Sequence, residues 1–397
     1  MTAMLDYDPF SEAVITDPHP VYRRLRDEAP VFFLPKYDCF ALSRFEDVWS
    51  ALSDTRSYSV AKGTASPQIL TRVQPVTPMI ATMDPPAHTR LRAAFRPLFA
   101  PARVRELEPE LRACAGRLLD AMRAAGGGDL VWDFGMRMAT EVASRITGFP
   151  SEDGAMLYGL VQRFMGREAG VDGMTPDGLA AMGEMAAYFA ELSARRRAAG
   201  TRGAHPLDAL IELGSEPDGR RLGDDEIASH MIMLLVGGTD TFPKVFANLA
   251  LRLFQHPDQR ARVAADPELA SFAFNEGLRI DMPTQFLGRT LTREVEFHGR
   301  RLAPGQLVIF LYASANRDER EFERPDRFDL TRRPPRTLGF GHGTHACLGI
   351  HVAKAEGRIG LTELLARAPD YELDLSRASR HRTEFVQGFA SLPVRFG

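Results

Sequence analysis

Cys347 is the residue with the most chemistry to offer in this chain. It stands in Phe-Gly-His-Gly-Thr-His-Ala-Cys-Leu-Gly, residues 340–349, where a thiol, two imidazoles and repeated glycines share one short stretch. Glycine loses more backbone freedom on folding than any other residue. A run this rich in it belongs where something approaches the backbone or where a turn demands it. Downstream, Leu348, Val352, Ala355, Ile359 and Leu364 or Leu365 recur at helical spacing, which sets Cys347 at the start of a helix. Free amides and the positive end of the helix dipole favour a thiolate there. A thiolate beneath a loop bare of side chains suits a flat metal complex. Zinc fits less well: a structural zinc site takes four protein ligands, and beyond His342, His345 and Cys347 no second Cys/His pair completes the set. The ordinary fate of a free cysteine is a small buried apolar side chain. Cys39, in a strand-like run, and Cys114, in a helix-like run, keep that reading.

Three other spacings could do chemistry. Glu276 and Arg279 lie three apart on one helix face, a pattern that by itself is as often a weak surface ion pair. Asp84-Pro85-Pro86 reads as a helix start, an aspartate cap followed by prolines tolerated in the first turn. His88 and Arg92 then share a face, which suits a solvated basic surface or an anion site. Gly237 and Gly238 sit inside a long apolar helix, where each costs about 1 kcal/mol against alanine; close helix packing or a groove would justify them. Asp240 and Thr241 follow, then Pro243. Proline cannot donate to the carbonyl of Thr239 and its ring pushes that carbonyl aside, so the helix is expected to open there.

Residues 340–349 match the haem-binding loop of the cytochrome P450 family, F-G-x-G-x-[HR]-x-C-x-G, including Phe340, His345, Cys347 and Gly349. Cysteine-thiolate ligation of haem iron is the known use of that loop. The other spacings fall in the family's order along the chain. Carried over, Cys347 is the axial ligand of haem b. His88, Arg92, Arg289 and His345 bind the two propionates. Gly237 and Gly238 form the oxygen groove, and Asp240 and Thr241 are its acid–alcohol pair. Glu276 and Arg279 form the structural E-x-x-R pair, joined by Arg327 from Pro-Asp-Arg-Phe at 325–328. Phe242 and Pro243 depart from the family pattern. Leu-Leu-Val-Gly-Gly-Thr-Asp-Thr and Glu-Val-Glu-Phe-His-Gly resemble the bacterial camphor-hydroxylase class. The segment before Asp84 has no tyrosine to bond a ketone, so camphor itself is not expected.

The resemblance implies a monooxygenase. It would insert one atom of O2 into a small-to-medium apolar organic molecule with two NAD(P)H electrons. No Cys cluster or G-x-G-x-x-G unit is present, so a separate ferredoxin and its reductase are implied as electron donors. Val76, Met79, Phe286, Leu287, Phe385 and Val386 are the expected pocket wall. A peroxide-using relative would carry Arg-Pro in place of Asp240-Thr241. A non-catalytic haem sensor or electron carrier would need no oxygen groove.

These residues must be held by a larger frame. The chain has 397 residues, long enough for a large core, and nothing in it marks a second domain, so 1–397 reads as one catalytic domain. Strand-like runs at 29–34 and 39–44 alternate with helical ones at 21–28 and 45–54. Residues 101–278 are mostly helical, with a Met- and Gly-rich helical pair over 155–200 and a long helix over 225–254. Strands return at 288–312 and 383–396. The expected architecture is mainly α with small β-sheets, the haem lying between the long helix and the Cys loop. Lys+Arg 49 against Asp+Glu 52 gives a net charge of −3, no argument for nucleic acid or a membrane surface. Three scattered cysteines fit a reducing compartment. Without a signal-like N-terminus or an apolar run of spanning length, a cytoplasmic protein is expected.

Overall fold

The computed structural model describes residues 5–397 apart from 74–76, 169, 202, 204 and 216–219. Val76 therefore lies outside the described residues. The labels below cover the elements that bear on the site.

Helix α1 (His19–Glu28) leads into strands β1 (Val31–Leu34) and β2 (Cys39–Leu42), followed by helix α2 (Phe45–Ser53). β1 and β2 pair antiparallel. Strand β3 (Tyr58–Ser59) and two distant strands, β4 (Leu287–Leu291) and β5 (Leu307–Phe310), complete a sheet of order β1-β2-β5-β4-β3. β5 runs parallel to β2, with Leu307 beside Cys39. All four β2 residues are buried, so this strand is core and Cys39 is a core residue.

The helical body comprises α3 (Ala87–Phe95), α4 (Pro101–Ala124), α5 (Arg137–Thr147), α6 (Gly154–Met165), α7 (Pro176–Ala198), α8 (Asp224–Thr239), α9 (Thr241–Gln255), α10 (Ala270–Ile280) and α11 (Ile350–Arg367). α8 packs along α7, and α11 packs along α4 and α10. The expected helical pair over 155–200 is α6 and α7. Mainly helical structure with small sheets is what the chain adopts. The long helix expected over 225–254 is two helices, α8 and α9, parted at Asp240. The break falls three residues before Pro243, where the missing amide and the proline ring act. Asp84 is not the cap of α3. Pro86 holds that place without a side-chain bond, and the Asp84 carboxylate instead accepts from Ser59 and from the Val60 amide.

Glu276 and Arg279 are buried on α10. Arg279 Nε and Nη2 each donate to the Glu276 carboxylate at 2.8 Å, and Nη1 donates to the Asn316 and Pro325 carbonyls. Arg327 does not join them. Its side chain is exposed, and only its carbonyl accepts from this cluster. Arg332 takes the place expected of Arg327, its Nε 3.1 Å from Glu276 Oε1. The turn at 325–331 aims residue 332 at α10 while residue 327 faces out. Removing Arg332 takes a charge-assisted hydrogen bond of about 1.5–3 kcal/mol from Glu276, although Arg279 still answers the carboxylate. Arg332→Ala is therefore expected to lower the urea midpoint clearly, and Arg327→Ala to leave it within about 0.5 kcal/mol of the parent.

Candidate functional site

The Cys loop is built by two turns and a close approach. Gly341 and Gly343 have φ of +67° and +71°, conformations that side chains disfavour. A Cβ on Gly343 would meet the Leu52 carbonyl oxygen of α2 at 2.4 Å. The Cys347 amide donates to the Phe340 carbonyl at 2.8 Å, and α11 begins three residues later with Gly349 as its N-cap. Trp49 of α2 stacks on His342, ring centroids 3.5 Å apart, so His342 braces the loop. Among the three cysteines only Cys347 is exposed. Burial still pushes its thiol above the ordinary value, against the opposing pull of the Gly349 amide and Arg92. The helix start alone does not make the thiolate; a bound cation would.

Beside the loop, four nitrogenous side chains converge from three elements. His88 of α3 and His345 lie with ring centroids 4.1 Å apart. Arg92 Nη2 donates to the Ala346 carbonyl at 2.7 Å. Arg289 of β4 is buried, with Nη1 on its neighbour's carbonyl. Burial first, then His88, Arg289 and Arg92, push His345 down to about 3. Burial and Arg92 push His88 down as well, and burial lowers Arg289. Buried His88 Nδ1 has no partner. None of the four forms an ion pair among the described residues; the nearby Asp84 carboxylate is bonded to Ser59 and Val60. A dianionic group would relieve this repulsion and give His88 Nδ1 its partner, so the cradle fits the two propionates of haem.

Gly237 and Gly238 are exposed on α8. A Cβ would find only Met233 at 3.6 Å and Ala143 at 3.7 Å. Tight packing against protein is not their reason, and they leave a bare groove. Thr241 opens α9, its hydroxyl donating to the Gly237 carbonyl at 3.3 Å. Asp240 is buried. Its carboxylate accepts from Lys244 Nζ and, at 3.3 Å, from Gln162 Nε2 of α6. Lys244 stands four residues after Asp240, a helical spacing, whereas Gln162 carries no signal in the sequence.

The expected pocket wall is only partly assembled. The Gln285 amide donates to the Phe385 carbonyl at 2.8 Å, and the Phe286 and Phe385 rings meet at 5.7 Å. Phe286 is fully buried and Val386 nearly so. Those two have no surface to present, whereas Leu287 and Phe385 are half-buried. Met79 is half-buried beside Ile80, whose amide donates to His230 Nδ1 of α8 at 3.1 Å. His230 thus pins this loop to the groove helix, a role with no sequence signal. Glu384, also unforeseen, ties three segments: its buried carboxylate accepts from Ser66 at 2.5 Å and from Arg167 at 3.0 Å.

The cytochrome P450 family model matches residues 268–395. A putative cytochrome P450 123 of Mycobacterium tuberculosis is 35% identical over 98% of this chain and 96% of its own length. The chain belongs to the cytochrome P450 family. This P450 is likewise 34% identical to a vitamin D(3) 25-hydroxylase of Pseudonocardia autotrophica, covering 100% of this chain and 98% of that one. Among solved structures, CalO2 superposes with a TM-score of 0.86 at 30% identity, covering 99% of each chain. A mutant of P450 EryK in complex with erythromycin B gives 0.86 at 28% identity, covering 96% of each. The chain is thus a haem-binding oxidoreductase of the monooxygenase class. No helix among the described residues is long and apolar enough to cross a membrane.

If the four-residue cradle holds the propionates, Arg92→Ala loses at least one charge-assisted hydrogen bond of about 1.5–3 kcal/mol. Haem transfer to apomyoglobin is then expected to quicken by roughly tenfold or more. An unchanged transfer rate would remove Arg92 from the cradle.

Proposed function

We propose that this P450 hydroxylates an apolar organic molecule, with Cys347 as the iron ligand, His88, Arg92, Arg289 and His345 on the propionates, and Asp240 and Thr241 handling protons. Haem, when bound there, supplies the redox chemistry that delivers two electrons to O2 and puts one oxygen atom into a C–H bond. The protein's part is to bind, exclude water and deliver protons. The observation that carries the reading is the break between α8 and α9, which sets a bare glycine groove, a hydroxyl and a carboxylate within five residues. The Thr241 hydroxyl already points along the groove to Gly237 and can release that carbonyl to hold a water. Asp240 beside it can link that water to solvent protons. This pair speaks against the peroxide-using alternative, and a groove with an acid beside it against a passive electron carrier.

Leu287 and Phe385 offer apolar surface to the substrate. The named vitamin D(3) hydroxylase, and the erythromycin B complex of EryK, support a medium-sized, largely apolar molecule over a very small one. Electrons would come from NAD(P)H through a ferredoxin and its reductase in the cytoplasm. Arg90 on α3 and, after it in the chain, Arg96, Arg103 and Arg105 flank the proposed propionate-binding helix; Arg90, Arg96 and Arg105 are exposed and Arg103 is half-buried. Turnover driven by an acidic ferredoxin should slow as salt rises, because charge steering is screened beyond roughly 10 Å at 0.1 M. A flat response would exclude this docking mode.

Cys347→Ser should abolish the thiolate signature of the reduced carbon monoxide adduct. Thr241→Ala should keep haem and electron uptake and still consume NAD(P)H and O2, but release hydrogen peroxide in place of product. Asp240→Asn should slow O2 consumption itself, by roughly 100-fold if the carboxylate acts in general acid catalysis. If Thr241→Ala keeps the parent ratio of product to cofactor, its hydroxyl only back-bonds to the helix and the assignment fails.

A further inference from the structure

Lys244 lies one turn beyond Asp240 and is 3% exposed, against 2% for the aspartate. Lysine and aspartate are almost never this buried unless paired, and these two are paired with each other. Lys244 Nζ bonds the Asp240 carboxylate and, at 3.2 Å, also donates to the Asp240 backbone carbonyl. It thus supplies a donor in the very turn that Pro243 disturbs. Gln162 Nε2 of α6 approaches the same carboxylate oxygen, Oδ1, at 3.3 Å. The other oxygen, Oδ2, is buried and has no hydrogen-bond partner. One end of the carboxylate is tied twice and the other is left open.

The slot for the lysine is built from a third element. A Cβ on Gly388, just before the strand Phe389–Ser391, would sit 2.5 Å from Lys244 Cβ. The bare residue leaves room for the lysine stem. Two other titratable groups face the pair. Burial, then the Lys244 charge, push His381 down to about 4, which keeps it neutral beside the ammonium. Tyr158 of α6 has its hydroxyl pushed up by burial and then by Asp240, so it stays a neutral phenol. The lysine is the only cation paired with Asp240 among the described residues.

We propose that Lys244 is a positioning residue for proton delivery: with Gln162 it clamps Oδ1 of Asp240 so that Oδ2 alone is free to exchange protons towards Thr241. The proposal rests on the role given above to Asp240. A clamp of this kind has two consequences. The carboxylate cannot turn away from the helix break, and its partner moves with the same helix. The supply of solvent protons through the carboxylate is then coupled to the state of the break itself.

The test is a cycle of Lys244→Met, Asp240→Asn and the double variant, each checked for haem content by its carbon monoxide difference spectrum. If the clamp is real, Lys244→Met slows O2 consumption by roughly tenfold or more and enlarges its solvent deuterium isotope effect. In the Asp240→Asn background the same change adds nothing, because the lysine acts only through the carboxylate. Unfolding in urea gives a readout apart from turnover: Lys244→Met lowers the midpoint of the parent but not of the Asp240→Asn protein. Should Lys244→Met fold poorly, Gln162→Leu removes the second tie and should slow turnover about twofold with the ion pair intact. A Lys244→Met enzyme that loses stability but keeps the parent rate and isotope effect would overturn the proposal while Asp240→Asn remains slow. Effects that multiply in the double variant would overturn it too. If Asp240→Asn itself turns over like the parent, the role of Asp240 falls first and the clamp falls with it.

Discussion

His88, Arg92, Arg289 and His345 are brought together with no carboxylate paired to any of them among the described residues, Asp84 nearby being bonded to Ser59 and Val60, and much of the site follows from that. Gathering such groups out of water costs free energy unless an anion is supplied. The protein offsets this in part by holding both imidazoles neutral, which burial and the arginines enforce. The rest awaits a ligand with two negative charges. The cradle draws on α3, on β4 and on the Cys loop, so its geometry depends on the five-stranded sheet, on the seating of α3, and on the contact of the loop with α2. Binding the group would therefore tie these three regions together and stabilise the fold by mass action.

The opposite face of the site rests on a deliberate defect. An uninterrupted helix would bury its carbonyls in its own ladder. Here Pro243 breaks the ladder, and Lys244 and Thr241 bond the freed turn with side chains. The chain accepts weaker helix energetics in return for polar groups at a place that is otherwise apolar. The break itself is unstrained, Asp240 keeping right-handed helical dihedrals, so its polarity is gained by interrupting the ladder and not by distorting the backbone.

What could be read in the sequence was what lies close along the chain. The Cys loop is compact, its glycines answer to two turns, and its helix follows at once. His88 with Arg92, and Gly237 with Thr241, are spacings within one or two helical turns. Pro243 announced the opening, although not that the helix would stop at Asp240 and resume with the next residue. Partners brought in from afar were hidden. Arg327 was the natural third member of the Glu276 set by motif, yet a turn of a few residues decides which arginine faces inward, and Arg332 is the one. Lys244 is local to Asp240, but its burial was hidden, because nothing nearby in the chain says that Gly388 clears its path. His230 and Glu384 bond to loops whose courses have no periodicity to betray them. Phe286 and Val386 are buried while their neighbours Leu287 and Phe385 are half-buried, a difference the sequence could not show, since alternation along a short extended run fixes a side only once its neighbours are known.

Glu384 joins the short helix Ser66–Ile69, the segment after α6 and the C-terminal turn through one carboxylate. None of these three segments contributes to the propionate cradle or to the Cys loop. One carboxylate thus fixes the mutual spacing of three segments far apart in the chain, so that a change at this single residue would be felt at all three at once.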